Sequence, residues 1–321
     1  MFRLFRFVFL SVVSLIGSGE VALAAPLKIA ATFTIAADIS KGVAGEGAQV
    51  RSLLPANSDL HVIQPTPAQI RMLSDADVVV AIHPLLETWI ADLESAGTLR
   101  HPVVYLARDI LKDGVAGCDD HAGSGRAHTH AAVTADTDPH VWMDPELAGV
   151  MGRTLAENLA RLDPGKAALY QAAGKAYVER MRVLAESIEK TLSVVPPARR
   201  QLVSQHDNLR RFAKKFRFEI PGTLLDSAST EAADPSAKRM LGIIGVIRAR
   251  KIPAVFADNT LSHDLPETVA REAGLPAPVT LMIDALDKPG SAGDTYEGMM
   301  LENARRIADA LKPAPGVPAS A

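Results

Sequence analysis

Two halves of this chain alternate short β-rich apolar runs with helical patterns, and this alternation restricts the fold more than any other sequence feature. Apolar runs separated by amphipathic helices form βαβ units, in which the strands are parallel. The first half has predicted strands at 27–32, 49–54, 77–82 and 102–106, and the second half has them at 200–204, 218–224, 253–257 and 278–282. We therefore expect an α/β protein with two lobes, each built on a mainly parallel sheet.

A long helical stretch at 165–194 joins the two halves, and shorter helical patterns separate the strands. The shorter helices are predicted at 36–43, 67–74, 85–96, 208–215, 236–250, 265–273 and 295–311. In the long stretch, apolar residues recur every three or four positions, which predicts one buried face made of Leu169, Ala173, Tyr177, Met181, Leu184, Ile188 and Leu192. A helix of this length runs roughly 45 Å, so it can lie across both lobes and limit their relative motion.

The first 25 residues have the pattern of a secretory signal. Arg3 and Arg6 precede an apolar run at 7–16, and an A-x-A cleavage site follows at 22–24. An uncleaved N-terminal anchor is the alternative interpretation. The expected domain division is a signal peptide at 1–25, a first lobe at 26–163, a linking helix at 164–196, a second lobe at 197–312 and a disordered tail at 313–321. We expect a periplasmic protein.

The one cysteine of the chain, Cys118, bears on both stability and location. It leaves no partner for an internal disulfide, and no cysteine stands at the cleavage site to take a lipid. We therefore expect a soluble exported protein without a lipid anchor. The formal net charge is −3, which argues against a nucleic-acid-binding surface. No segment after the leader is long and apolar enough to predict a transmembrane helix.

Three segments place a histidine just before a predicted helix start, at 59–67, 138–145 and 203–207. Thr66-Pro67 and Asp144-Pro145 are N-cap and N1 pairs typical of helix starts, and Asp207 is expected to cap the third helix.

His61, His140 and His206 follow predicted strands, and Asp284 follows the last one. In open α/β sheets, ligands bind at the carboxyl ends of the strands, so side chains from both halves are expected to meet in a cleft. A lone histidine in such a place is more often a surface or hydrogen-bonded residue. Four equivalent positions instead favour a metal site, because three imidazoles and one carboxylate suit a four-coordinate transition metal.

The segment D-P-H-V-W-M-D-P at 138–145 carries a specific resemblance. It is similar to the D-P-H-x-W-x-D-P segment of the metal-binding receptors of zinc and manganese ABC importers, the cluster A-I solute-binding proteins. The segment at 59–67 resembles the family's D-P-H-x-[YF]-x-P-[TS]-P and departs at Leu60 and Ile63. The F-A-K-K-F run at 212–216 and the Y-E-G-M-M-L-E-N run at 296–303 are also similar to family segments. The resemblance extends from residue 27 to residue 311.

The resemblance implies that His61, His140, His206 and Asp284 are the metal ligands. It also implies two lobes joined by a rigid helix, no enzymatic activity, and delivery of the metal to the membrane permease of an ABC importer. A monomer is expected, and a periplasmic metallochaperone is a candidate further partner. His83 and Asp258-Asn259 stand where relatives often have asparagine and glutamate, so these residues are expected to alter the groups behind the ligands.

Zinc is the favoured cargo, because three histidines and one carboxylate suit a tetrahedral Zn²⁺ site, whereas manganese prefers more oxygen ligands. A manganese or iron receptor of the same family is the alternative. A zinc hydrolase is a remote alternative, since four protein ligands leave no open position and the chain has no H-E-x-x-H motif. A metal buffer or adhesin without a transporter is a further interpretation.

A His- and Asp-rich loop at 116–137 precedes His140. Its composition predicts a solvated, disordered loop. The histidines His121, His128 and His130 are expected to bind metal weakly as an auxiliary site, while Cys118 is interpreted as an incidental thiol.

Overall fold

The computed structural model describes residues 25–84, 86–111, 138–225 and 237–313. The predicted signal peptide up to residue 24, the whole His-rich loop at 116–137 and the tail from residue 314 lie outside the described residues. The same holds for Cys118, His121, His128 and His130.

The first sheet has four parallel strands in the order β2-β1-β3-β4. Its strands are β1 (Leu27–Ala31), β2 (Ala48–Ser52), β3 (Val78–Ala81) and β4 (Val103–Tyr105), and the helices between them are α1 (Thr34–Ala44), α2 (Pro67–Ser74) and α3 (Thr88–Ser95). All four residues of β3 are buried, as expected for an inner strand of a parallel sheet that is covered on both faces.

The second sheet repeats this strand order as β6-β5-β7-β8, again with parallel pairing. Its strands are β5 (Gln201–Ser204), β6 (Glu219–Thr223), β7 (Phe256–Asp258) and β8 (Val279–Leu281). The helices of this half, numbered after the two that join the lobes, are α6 (Arg210–Phe216), α7 (Ala237–Arg250), α8 (Asp264–Ala273) and α9 (Tyr296–Leu311). The predicted α/β class with two parallel-sheet lobes is therefore confirmed, with strand ends that differ from the prediction by up to three residues.

Two long helices, α4 (Pro145–Leu162) and α5 (Ala167–Leu192), lie side by side and come between the two sheets in the chain. The sequence predicted only the start of α4, at Asp144-Pro145. Helix α5 also packs against α1 of the first lobe and α9 of the second, so it contacts both lobes. No helix among the described residues combines the length and apolarity that a membrane crossing requires.

The buried face of α5 was predicted wrongly at its N-terminal end. Leu169 is 68% exposed, and the buried residues there are Tyr170 and Gly174. Successive steps of four residues each advance about 40° beyond a full turn, so Leu169 lies about 80° around the helix from Tyr177. Gly174 is required at the buried position, because a Cβ there would lie 2.5 Å from the Cβ of Ala156 in α4.

One apolar cluster runs through both lobes. It contains Ile29 and Val80 of the first sheet, Phe256 and Leu281 of the second sheet, and Trp142 of the connecting segment. The two lobes are therefore joined by a continuous core as well as by the long helices.

Candidate metal centre

The four predicted ligands reach one place from four separate segments. His61 lies between β2 and α2, and His140 lies directly before the 3-10 turn Val141–Met143 that leads into α4. His206 follows β5 by two residues, and Asp284 follows β8 by three. One ligand atom from each residue lies within 4.8 Å of the others, so the first lobe brings two imidazoles to the imidazole and carboxylate of the second.

The Nε2 atoms of all three histidines face Asp284. Asp284 Oδ2 lies 3.2 Å from His206 Nε2 and 3.6 Å from His61 Nε2. Asp284 Oδ1 lies 3.7 Å from His140 Nε2, which is itself 3.4 Å from His61 Nε2. The side chains of His140, His206 and Asp284 are fully buried, and that of His61 is 2% exposed.

The Asp284 carboxylate has unused bonding capacity. Both of its oxygens, and His206 Nε2, are buried without a hydrogen-bond partner among the described residues. Burial raises the pKa of Asp284, but the surrounding imidazoles, His140 foremost, outweigh burial and hold that pKa well below its usual range. A buried carboxylate without hydrogen bonds is costly unless a cation balances it. Three ring nitrogens and one carboxylate form the donor set that suits a borderline-soft divalent metal.

Asp138 fixes the orientation of His140. Its Oδ1 lies 2.7 Å from His140 Nδ1 and accepts the backbone N–H of His140 at 3.0 Å. This contact places the Nδ1 proton on the carboxylate side and leaves Nε2 for the metal. The same aspartate accepts the backbone N–H of Arg211 at 3.2 Å, and its carbonyl accepts Arg211 Nε at 3.0 Å, which ties the His140 segment to α6.

Asp138 had no predicted role, although its position two residues before His140 could have indicated a contact with that histidine. Burial lowers the pKa of His140, but the carboxylates of Asp284 and Asp138 outweigh burial and raise that pKa to about 9. A metal that binds His140 near neutral pH must therefore displace a proton.

Trp142 connects the ligand segments of the two lobes. Its Nε1–H donates to the carbonyl of Ile283 at 2.7 Å, next to Asp284, and its own carbonyl accepts the Tyr296 hydroxyl at 2.6 Å. Its ring centroid lies 5.3 Å from that of His140, in an edge-to-face arrangement. Trp142 is fully buried, so these contacts hold His140 and Asp284 in register across the lobe boundary.

The segment that carries His61 is fastened to the second lobe through Asn57. The Asn57 backbone N–H donates to the carbonyl of Leu286 at 3.1 Å, and its Nδ2 donates to Asp287 at 3.0 Å. Asn259 Nδ2 donates to Asn57 Oδ1 at 2.6 Å. Asn57 has a φ of 57°, a left-handed conformation that asparagine tolerates better than most residues. At the other end of the segment, Thr66 caps α2 with Pro67 at the first helical position, as predicted, and Gln69 completes a capping box.

The prediction that Asp207 caps the next helix is wrong: α6 begins at Arg210 after Leu209, and Asp207 instead accepts Arg210 Nε at 2.8 Å. The reason is that the backbone turns at Asn208, whose N–H donates to the His206 carbonyl at 3.0 Å, before the helix starts.

His83 is buried after β3 and is not one of the four clustered residues. Burial lowers the pKa of His83, and the positive charge of Arg108 lowers it further.

Comparison with known proteins places this chain among metal-transport proteins. The family model described as ZnuA, zinc-uptake complex component A, periplasmic, matches residues 29–310. The metal ABC transporter substrate-binding lipoprotein SsaB of Streptococcus sanguinis is 26% identical over 289 residues, which is 89% of each chain. The manganese ABC transporter substrate-binding lipoprotein PsaA of Streptococcus pneumoniae is 24% identical, again over 89% of each chain.

A solved structure of a metal-binding protein has a similar fold. The periplasmic zinc-binding protein TroA of Treponema pallidum superposes with a TM-score of 0.76 at 26% sequence identity, covering 90% of this chain and 100% of TroA.

Proposed function

This chain belongs to the ZnuA family of metal ABC transporter substrate-binding proteins, and from that premise we propose that it captures Zn²⁺ and delivers it to an importer permease. Proteins of this kind are receptors for metal transport and not enzymes. In the proposal, His61, His140, His206 and Asp284 are the ligands, and the periplasm is the compartment.

The observation that carries the proposal is the buried Asp284 carboxylate, which faces three Nε2 atoms and has no hydrogen-bond partner among the described residues. A divalent cation would satisfy both oxygens and the three ring nitrogens at once. The protein's own contribution is to hold the imidazoles in the correct orientation, through Asp138 for His140, and to keep water out by burial. No catalytic step is needed for capture and release.

Zinc is the proposed cargo because nitrogen donors dominate the set, and the Irving–Williams order places zinc above manganese at such a site. Manganese is the second candidate, since PsaA is named for manganese. A specific observation also favours it: both Asp284 oxygens lack hydrogen-bond partners among the described residues, so the carboxylate can bind through two oxygens and give the oxygen-richer coordination that manganese prefers.

We also propose the domain division with lobes at 26–163 and 197–312 around a linking helix at 164–196, a monomeric state, and a periplasmic metallochaperone as a further partner. The streptococcal relatives are named lipoproteins. The cysteine of this chain is Cys118, which is far from the predicted cleavage site, so we propose that the exported protein carries no lipid anchor. Measurement of the intact mass of the exported protein tests this.

The His-rich loop is proposed as a weak auxiliary site through His121, His128 and His130. We expect removal of residues 118–130 to lower the number of weakly bound zinc ions and to leave the tight site intact. Calorimetric titration measures both quantities. Unchanged stoichiometry together with unchanged transfer of zinc to an acceptor would end this part of the proposal.

Metal competition tests the main proposal. The protein from residue 25 onward, stripped by a chelator, is expected to bind one zinc ion tightly and to release bound manganese when zinc is added. His206→Ala is expected to weaken zinc binding about a hundredfold, because four ligands share about 10–16 kcal/mol at a structural zinc site and each 1.4 kcal/mol is tenfold. The matched control is His101→Ala, which removes an exposed histidine of the first lobe.

The two parts of the proposal fail separately. Unchanged zinc affinity in His206→Ala would show that the ligand set is wrong. Manganese that stays bound in the presence of equimolar zinc would leave the site in place and show that the cargo is wrong.

A further inference from the structure

The imidazole of His206 lies between two buried carboxylates. On one side, Nε2 is 3.2 Å from Asp284 Oδ2; on the other side, Nδ1 is 3.6 Å from Asp258 Oδ2. Asp258 is 1% exposed and stands at the end of β7, behind the ligand cluster. The ring nitrogen that faces away from the metal site therefore faces a second carboxylate.

The Asp258 carboxylate is held in one orientation. Its Oδ1 accepts the backbone N–H of Thr260 at 2.9 Å and the Thr260 hydroxyl at 2.8 Å. Its Oδ2 accepts Nδ2 of Asn208 at 2.8 Å. A rotation that exchanged the two oxygens would meet the same donors, so one oxygen always points toward His206.

Metal binding by His206 sets a requirement on its proton. A neutral imidazole that presents its Nε2 lone pair must carry the proton on Nδ1, and a buried N–H needs an acceptor. Asn208 Nδ2 lies 3.2 Å from Nδ1, but it is a donor and its contact with Asp258 keeps it one. Asp258 Oδ2 is the remaining acceptor, at 3.6 Å, and a shift of about 0.7 Å brings it to ordinary hydrogen-bond distance.

We propose that Asp258 is a positioning residue that accepts the Nδ1 proton of His206 and thereby turns its Nε2 lone pair toward the metal. Asp138 has the same relation to His140, at 2.7 Å. In the metal-bound state, the contact of His206 Nδ1 with Asn208 Nδ2 is replaced by a hydrogen bond from Nδ1–H to Asp258 Oδ2. This inference rests on the proposed function, since it takes His206 as a metal ligand.

The variant Asp258→Asn tests the proposal with little change of shape. The backbone N–H of Thr260 keeps the amide oxygen on its side, so the new NH₂ group faces His206 Nδ1. A donor there favours the tautomer with the proton on Nε2, which blocks the metal. We expect zinc affinity to fall about 10- to 100-fold, the range typical of lost partners behind a metal ligand. The unfolding midpoint of the metal-free protein is expected to fall as well, because Asn208 Nδ2 loses its acceptor at 2.8 Å.

A double variant that exchanges the two residues distinguishes control of the His206 tautomer from a general loss of stability. In Asp258→Asn with Asn208→Asp, the carboxylate moves to the position 3.2 Å from Nδ1 and can accept the proton again. Zinc affinity is expected to return to within a few-fold of the unmodified protein. Asp207→Asn is the charge control, because it also removes a buried carboxylate beside His206, one that pairs with Arg210. It is expected to have a smaller effect than Asp258→Asn.

Nitrogen NMR of the His206 ring gives the direct readout. The zinc-loaded unmodified protein is expected to show Nδ1–H, and metal-free Asp258→Asn is expected to show Nε2–H. Zinc affinity of Asp258→Asn equal to that of Asp207→Asn, or no recovery in the double variant, would overturn the inference. His206→Ala distinguishes failure of this inference from failure of the proposed function. If His206→Ala weakens zinc binding and Asp258→Asn does not, the inference about Asp258 fails and the proposed function stands. If His206→Ala has no effect on zinc binding, both fail.

Discussion

Replacement of Asp284 by asparagine is expected to weaken zinc binding by about two orders of magnitude. The amide keeps the shape of the side chain but loses the charge that offsets the cation in a fully buried site, and about 3 kcal/mol per ligand is the typical share of a four-ligand zinc site. Competition with a chelator of known affinity measures the change.

A second readout has a definite sign. The charge of Asp284 is the largest single cause that raises the pKa of His140, Asp138 adds to it, and the value reaches about 9. The asparagine variant is therefore expected to lower the pKa of His140 in the metal-free protein, so that this residue releases its proton at lower pH. Titration of the His140 ring signals by NMR follows this change.

Asp309→Asn is the control for the asparagine replacement, since Asp309 is a surface residue of α9 that pairs with Arg305 and Lys312. It is expected to change neither zinc affinity nor the pKa of His140. Zinc affinity of Asp284→Asn within threefold of the unmodified protein would show that the carboxylate is not a ligand.

Truncation of Trp142 to alanine is expected to lower the free energy of unfolding by about 3–5 kcal/mol, the usual range for a fully buried tryptophan. The variant also leaves the Ile283 carbonyl without the Nε1–H donor at 2.7 Å. Because that carbonyl adjoins Asp284, zinc affinity is expected to fall as well. Urea unfolding of the metal-free protein measures the stability change.

Two conservative variants isolate the hydrogen bond from the packing. Trp142→Phe keeps most of the apolar volume and is expected to cost about 1–3 kcal/mol from the unpaired carbonyl, in addition to the lost ring volume. Trp89→Phe is the control for the ring replacement alone, since Trp89 is partly buried and its Nε1 has no hydrogen-bond partner among the described residues. Equal costs for the two phenylalanine variants would refute a role for the Trp142 donor.

The sequence predicted the fold class well, because strands and helices of a parallel-sheet protein are local patterns. The predicted strands all occur, and Thr66 and Asp144 cap helices α2 and α4 as expected. Errors arose where a local pattern met a tertiary constraint. Leu169 fits an apolar repeat, yet the close approach of α4 to α5 selects Tyr170 and Gly174 for the buried face.

The sequence also predicted which four residues meet, because each follows a strand of one of the two parallel sheets, and ligands of such sheets bind at the carboxyl ends of the strands. The residues that contact these four side chains from behind were much harder to predict. Asp258 could be marked as a neighbour by its position, but its relation to His206 depends on Asn208 and Thr260, which belong to different loops. The contacts of Asn57 with Leu286 and Asp287 join residues far apart in the chain, and no local pattern indicates them.

The continuous core has a consequence for the order of events when the chain folds. Strands of the first sheet and strands of the second share one apolar interior, so neither half completes its interior alone. His61 lies in the first lobe and Asp284 in the second, so these two side chains come together only when the lobes dock. A chain whose lobes have not docked therefore does not hold the four clustered side chains together, and docking of the lobes and assembly of the cluster are one event.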